Sequence, residues 1–236
     1  MYEKKSAITC FYYLIAVDSD IHDIEMDVIE SIANEIDPDN YPSYKESIIE
    51  DYNKQLESQI DDEDYYDVIV EGVDKVLVSR GYYDGVSPRL LLWNLLVVAF
   101  ADNDYSKEER RLIKHIVRKS EIEKDVFLEM EELMKANVAL DKEIQTLNDS
   151  DKPYKEIRPL VEELEERKQV IINYALALIA DEGYVPVAKV EAPNNKIYSG
   201  AKNTFNKIGN GVVNTASSIG DGTKKLFGNM FKKEKE

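Results

Sequence analysis

Residues Leu90–Ile116 read LLLWNLLVVAFADNDYSKEERRLIKHI, and this stretch decides the fold. Its first part, Leu90–Ala101, is almost wholly apolar and stops abruptly at Asp102-Asn103-Asp104. A second helical pattern begins at Glu108, with apolar residues recurring at the spacing of one helix face. We therefore predict two helices joined by an acidic turn, here called the second elbow (residues 102–105).

A second copy of this arrangement occurs near the N-terminus, at the first elbow (residues 18–23). A shift of 84 residues aligns Asp18 with Asp102 and, without a gap, Glu25 with Glu109. An apolar run precedes both elbows, and the aligned positions in the following helix are apolar in both copies. These aligned pairs are Val28-Ile29 with Leu112-Ile113, and Ile32 with Ile116. The sequence thus indicates a duplicated unit of apolar helix, acidic elbow and amphipathic helix.

Helical periodicity continues to about residue 180 and no run of alternating strand residues is found, so we predict an all-α bundle of about seven or eight helices. Ser87 before Pro88 predicts the start of one helix, and Ser106 with Glu109 predicts a capping box at another. Ser43 with Glu46 predicts a third helix start, and the acidic run at residues 61–64 is interpreted as a turn. Trp93 and Cys10 are predicted to lie in the core.

The chain divides, on composition, into three segments. We predict a helical domain with both repeats at residues 1–148, a long C-terminal helix packing on it at 149–193, and a tail rich in Gly, Ser and Asn at 194–236. The net charge is −17, but it is unevenly distributed. Residues 199–236 hold seven Lys and three acidic residues, giving +4, while the remaining 23 basic and 44 acidic residues give −21.

The tail is predicted to be either flexible or a weakly basic amphipathic helix. Its apolar residues recur at intervals of three, four or seven, and its lysines flank them. Such a segment could fold on an anionic membrane surface or on a protein partner. The residues expected to make that contact are Phe205, Ile208, Ile219, Leu226 and Phe227.

Several functional classes are disfavoured by the sequence. The strongly acidic balance argues against nucleic acid as a partner. Cys10 is the only cysteine, which excludes an intrachain disulfide and favours a reducing compartment, so we expect a cytoplasmic protein, peripheral at most to the inner face of the membrane. The sequence contains no glycine-rich phosphate loop, nucleophile elbow or zinc-ligand spacing, and we expect no enzymatic activity. The oligomeric state is not indicated.

The duplicated elbow resembles the TerB-like family of tellurite-resistance and stress-response proteins. That family's signature is an apolar helix ending in Ala-Asp-Gly, an aliphatic residue, and a glutamate seven positions after the aspartate. Here Asp18 and Glu25, and Asp102 and Glu109, match it, while Ser19 and Asn103 replace the glycine. The resemblance covers roughly residues 5–148. It implies an all-α, non-enzymatic stress-response protein with a metal bound through the acidic positions. We also expect protein partners.

The acidic elbows are therefore candidate ligands for a divalent cation. Carboxylates at the first, third and eighth positions of each copy could converge, and Ca²⁺, Mg²⁺ and Mn²⁺ prefer oxygen ligands of this kind. The candidate ligands are Asp18, Asp20, Glu25, Asp102, Asp104 and Glu109. The alternative is a purely structural adaptor, since Asp and Asn are ordinary turn residues and Ser106 can cap its helix with Glu109. A metal-dependent hydrolase would need more ligands than the sequence offers. We interpret His22 as a solvated elbow residue and His115 as a helix-surface residue.

Overall fold

A computed structural model describes residues 1–18, 21–56, 62–79 and 85–180, and these residues form eight α-helices. In chain order the helices are α1 Lys4–Ala16, α2 Asp23–Ile36, α3 Tyr41–Leu56, α4 Asp62–Val76, α5 Pro88–Ala99, α6 Lys107–Lys119, α7 Lys124–Asn148 and α8 Tyr154–Ile179. Extended pairing within this part of the chain is limited to one antiparallel bridge between Tyr2 and Val86. The prediction of an all-α bundle of about eight helices is confirmed.

The described residues form two compact units, and the first covers residues 1–127. Helix α1 lies at its centre and contacts α2, α3, α4, α5 and α6. Ten of its 13 residues are buried, which explains why its sequence is apolar on nearly every side. Cys10 is fully buried and Trp93, in α5, is 3% exposed, so both predicted core residues are confirmed. Burial also raises the pKa of the Cys10 thiol.

The two copies of the duplicated unit pack against each other in this first unit. Helix α1 contacts α5, and each of these first helices also contacts the second helix of the other copy: α1 contacts α6, and α5 contacts α2. Aligned residues share the same environment, because Ile29 and Ile113 are both fully buried, as are Ile32 and Ile116. This crossed packing is what two similar units related by an approximate two-fold axis would give.

A close contact between α1 and α4 explains a glycine inside a helix. A Cβ atom placed on Gly72 would lie 2.4 Å from Cζ of Tyr13 and 2.5 Å from its hydroxyl oxygen. The Tyr13 ring in turn meets Tyr52 of α3 edge-on, with centroids 5.9 Å apart. Glycine at position 72 therefore allows the tyrosine ring to lie against the backbone of α4.

The helix starts confirm some predictions and correct others. Ser87 accepts a hydrogen bond from the backbone N–H of Leu90 at 3.2 Å, so it caps α5 as predicted. The start predicted at Ser43 is wrong, because α3 begins at Tyr41, whose N–H donates to the Asp37 carbonyl. Ser43 instead donates its hydroxyl to the Asn40 carbonyl at 2.6 Å.

The predicted turn at residues 61–64 is also wrong, since α4 already begins at Asp62. Acidic residues favour the first turn of a helix, where they interact with its positive end. A run of aspartates and a glutamate is therefore compatible with a helix start as well as with a turn.

The second unit begins at Leu128, and its described part contains most of α7 and all of α8. Glu129 accepts a hydrogen bond from Tyr174, and Asp141 pairs with Lys168, so the two helices run antiparallel. In both helices, buried or half-buried positions recur every three or four residues, and we call this row of positions the seam. In α7 the seam consists of Met130, Leu133, Asn137, Leu140, Ile144 and Leu147, and in α8 of Ile157, Val161, Leu164, Lys168, Ile171, Ala175 and Leu178.

A polar layer interrupts this seam. The Lys168 side chain is 5% exposed and its ammonium group pairs with Asp141, whose side chain is 40% exposed. Asn137 donates to the same carboxylate at 3.4 Å. The ion pair between Lys168 of α8 and Asp141 of α7 disfavours other registers of the two helices, because a slip would separate the two side chains. The predicted domain limit at residue 148 stays a prediction; the second compact unit begins at Leu128.

Candidate functional site

The first elbow lies between α1 and α2. Asp18 is half-buried just after α1, and Asp20 lies outside the described residues. Glu25, in the first turn of α2, is 3% exposed and accepts the backbone N–H of His22 at 2.9 Å. Burial raises the pKa of the Glu25 carboxyl, the His22 N–H works against that rise, and the charges of Asp102 and Asp18 add to it.

The second elbow has a defined turn geometry. Asp102 is half-buried, and its Oδ1 atom accepts the backbone N–H of the exposed Asp104 at 2.8 Å. Asn103 has φ 71°, a left-handed conformation that asparagine tolerates better than most residues. The ring of Tyr105 lies against the Phe100 ring at a tilt of 33°, with centroids 4.4 Å apart. Asp102 thus supports the turn through Oδ1, and its Oδ2 atom takes no part in this hydrogen bond.

Among the predicted ligands that the structure describes, Glu109 has the carboxyl with the most strongly shifted pKa. It is 1% exposed, and its Oε2 atom accepts the backbone N–H of Ser106 at 2.7 Å. Ser106 Oγ accepts the Glu109 N–H at 3.1 Å, which confirms the predicted capping box. The second carboxylate oxygen, Oε1, is buried without a hydrogen-bond partner in the described structure. Burial raises the pKa of Glu109 to about 8, against the hydrogen bonds from Ser106 and with the added repulsion of Asp18 and Glu25.

The fold brings the two elbows together. His22 of the first elbow places Nε2 3.3 Å from Oδ2 of Asp102 in the second. The Glu25 carboxyl is influenced by Asp102, and the Glu109 carboxyl by Asp18 and Glu25, so carboxylates of both copies act on one another. Four of the six predicted ligands, Asp18, Glu25, Asp102 and Glu109, therefore share one region of the first unit.

The described members of this set do not form a preformed metal site. Within the described ranges, no group of three or more His, Cys, Asp or Glu side chains is arranged so that it could hold a metal ion. Asp104 is exposed, and Asp20 is not among the residues described. The proposed membrane or partner contacts at Phe205, Ile208, Ile219, Leu226 and Phe227 also lie outside the described residues. No described helix is long and apolar enough to span a bilayer.

Two features of this region were not predicted from the sequence. His22 is half-exposed, as expected for a solvated residue, but its ring also links the two elbows through Asp102. Ile21 and Ile24 are 48% and 50% exposed, so two large apolar side chains border the acidic region.

Comparisons with known proteins do not identify a relative. No protein-family model matches the chain, and no curated protein or solved structure matches it either. The resemblance to TerB-like proteins therefore stays a prediction that depends on the elbow motif alone.

Proposed function

We propose that this chain is a non-enzymatic, all-helical binding protein of the TerB-like stress-response type, whose paired elbows take up a divalent cation. The observation that carries the proposal is the unpartnered, buried Oε1 atom of Glu109 beside the carboxylates of Asp18 and Glu25. Burying a carboxylate oxygen without a partner is costly, and a cation shared between neighbouring carboxylates would offset that cost. The left-handed backbone of Asn103, at the glycine position of the TerB-like signature, supports the same assignment.

The ligands would be oxygen atoms from both copies. Glu109 would contribute Oε1, with Asp18, Glu25 and Asp102 beside it and Asp20 and Asp104 completing the predicted set. All are carboxylates, the ligand type that hard cations such as Ca²⁺, Mg²⁺ and Mn²⁺ prefer. The cation would tie the two elbows together and so stabilise the packing of the two repeats.

Calorimetric titration of the full chain with Ca²⁺, Mg²⁺ and Mn²⁺ tests this proposal. We expect saturable heat and a higher melting temperature with at least one cation, and loss of both effects in Asp18→Asn and Asp102→Asn. Asp39→Asn and Asp125→Asn remove exposed carboxylates elsewhere in the first unit and are the matched controls. Absence of heat and of a thermal shift with all three cations would refute cation binding.

A structural adaptor without a metal is the second candidate, and specific contacts favour it. Glu25 and Glu109 both accept a backbone N–H three residues earlier, and Asp102 contacts His22, so these groups already have structural roles. In that case the elbows only join helices and hold the repeats together. The titration separates the two candidates, because an adaptor of this kind gives neither heat nor a thermal shift.

The basic tail also bears on where the protein is located. We propose a cytoplasmic protein whose basic residues 194–236 contact the inner face of the membrane or a protein partner. Co-sedimentation of the full chain with phosphatidylserine vesicles tests the membrane contact, with phosphatidylcholine vesicles as the control. Binding should be lost when Phe205, Ile208, Ile219 and Phe227 are changed to serine. Equal sedimentation of this variant and the unchanged chain would refute the assignment.

A further inference from the structure

The outer face of α6 is basic, although the whole chain carries a charge of −17. Arg111 and Arg118 are exposed and Lys114 is half-buried, whereas Leu112 and Ile116 on the opposite face are fully buried. Positions 111, 114 and 118 follow one side of the helix over two turns, or about 10 Å. We call these three residues the α6 basic face.

The α6 basic face is not neutralised by neighbouring carboxylates among the described side chains. The Arg111 guanidinium lies 3.8 Å from the centroid of the Tyr66 ring, and Arg118 donates Nε to the Lys114 carbonyl at 3.2 Å. The adjacent cations of α6 differ, because His115 and Lys119 both contact Asp74, at 2.8 and 3.1 Å. Among the described side chains, one row of cations on α6 is therefore paired with a carboxylate, and the row beside it is not.

We propose that the α6 basic face is a docking surface for an acidic peptide segment of a partner protein. Stacking on Tyr66 fixes the plane of the Arg111 guanidinium while leaving its N–H groups at the ring's edge available to a carboxylate. Arginine forms paired, charge-assisted hydrogen bonds with carboxylates, and Arg118 offers a second such group two turns away. Acidic side chains three or four residues apart on a partner helix would match this spacing.

The surroundings of the face favour a peptide over a more extended polyanion. Helix α4 packs beside α6 and carries Asp67, Glu71 and Asp74, and Glu108 lies at the start of α6. These acidic side chains lie on the same helix or on the helix that packs beside it. A flat membrane or a duplex nucleic acid would bring negative charge against these acidic residues as well, whereas a single peptide segment needs to contact only the row of cations.

Fluorescence anisotropy with the full chain tests the proposal. The probe is a fluorescein-labelled, alanine-based peptide of about 14 residues with glutamates three and four residues apart, the spacing of one helix face. We expect binding that weakens as salt rises from about 50 to about 300 mM, and a loss of affinity of about tenfold in Arg111→Gln/Arg118→Gln. Lys152→Gln/Lys155→Gln removes two exposed cations from the other unit, changes the net charge equally, and should alter affinity less than about twofold.

Three results would overturn the proposal: no peptide binding at low salt, equal weakening in both double variants, or preferential binding of phosphatidylserine vesicles or duplex DNA through the same arginines. Arg118→Gln alone preserves the stacked pair of Arg111 and Tyr66, so it separates loss of the docking charge from any change in α4–α6 packing. This single variant should also weaken peptide binding while retaining the melting temperature of the unchanged chain.

Discussion

Replacing Glu109 with glutamine should make the stability of this protein less dependent on pH. The carboxyl is 1% exposed and sits at the meeting point of the two elbows. Glutamine has nearly the same size, retains a carbonyl oxygen that can accept the Ser106 N–H, and is an accepted residue at this position of a capping box. The substitution therefore removes ionisation while keeping the helix cap.

The expected size follows from the pKa of Glu109, which rises from its ordinary value of 4.5 to about 8 in the folded chain. The folded carboxyl then binds its proton more tightly than the unfolded one, so this proton stabilises the folded state at low pH. The free energy of unfolding therefore falls as pH rises from 4.5 to about 8. Above that range the loss is complete. Each pKa unit corresponds to about 1.36 kcal/mol, which gives an upper limit of roughly 5 kcal/mol.

Urea unfolding followed by circular dichroism at about pH 5 and about pH 8.5 measures this effect. We expect Glu109→Gln to resemble the unchanged chain at the lower pH and to be several kcal/mol more stable at the higher one. Glu108→Gln, which removes an exposed carboxylate from the same helical turn, should retain the original pH dependence. Comparing variants cancels the contribution of other titrating groups, including the raised pKa of Glu25.

Parallel stability curves for Glu109→Gln and the unchanged chain would refute this reasoning. A variant that is less stable at high pH would show instead that Glu109 is ionised and has a partner in the fold. The same experiment also bears on cation binding, because a cation holds the carboxylate in its charged form. A saturating divalent cation should therefore flatten the pH dependence of the unchanged chain and have little effect on Glu109→Gln.

Three further predictions concern packing, and urea unfolding measures each. Gly72→Ala should cost about 1–3 kcal/mol because its Cβ would collide with Tyr13, and the cost should shrink in a Tyr13→Leu background. Asn94→Leu should stabilise the protein by about 1–2 kcal/mol, since the fully buried Asn94 amide has no hydrogen-bond partner in the described structure; a loss of stability would show that the amide is satisfied. Asp141→Ala should cost about 3 kcal/mol because the buried Lys168 ammonium loses its ion pair with Asp141, whereas Lys168→Met should cost much less because Asp141 is partly solvated; equal costs would contradict this asymmetry.

The sequence predicted the parts of this fold that depend on local pattern. The periodicity of apolar residues revealed the helices, and the shift that aligns Asp18 with Asp102 also paired Ile29 with Ile113, which the structure buries equally. Capping was predictable at Ser87 and Ser106, each of which directly precedes the first residue of its helix. It failed at Ser43, because α3 follows α2 so closely that the Asp37 carbonyl receives the first N–H of α3.

The electrostatics of the elbows could not be read from the sequence in the same way. The capping box predicted which backbone group Glu109 binds, but its burial depends on packing against the other copy, some 84 positions away along the chain. His22 has no counterpart in the second copy, so the alignment of repeats gave no reason to pair it with Asp102. The α6 basic face could not be predicted for a related reason. Only the structure shows that Asp74 pairs with His115 and Lys119 and not with the row of cations beside them.

The structural and cation-binding roles of the elbows are not mutually exclusive at Glu109, because they use different atoms. Its Oε2 atom accepts the Ser106 N–H and completes the helix cap, while Oε1 takes no part in the cap. A cation bound through Oε1 would leave the cap intact, so evidence that Glu109 stabilises α6 does not count against a metal. Variants of Glu109 alter its charge whether or not a metal binds, and therefore test its pKa better than its ligand role. Asp18 and Asp102 are the more selective positions for testing the cation, since neither supplies a cap to α2 or α6.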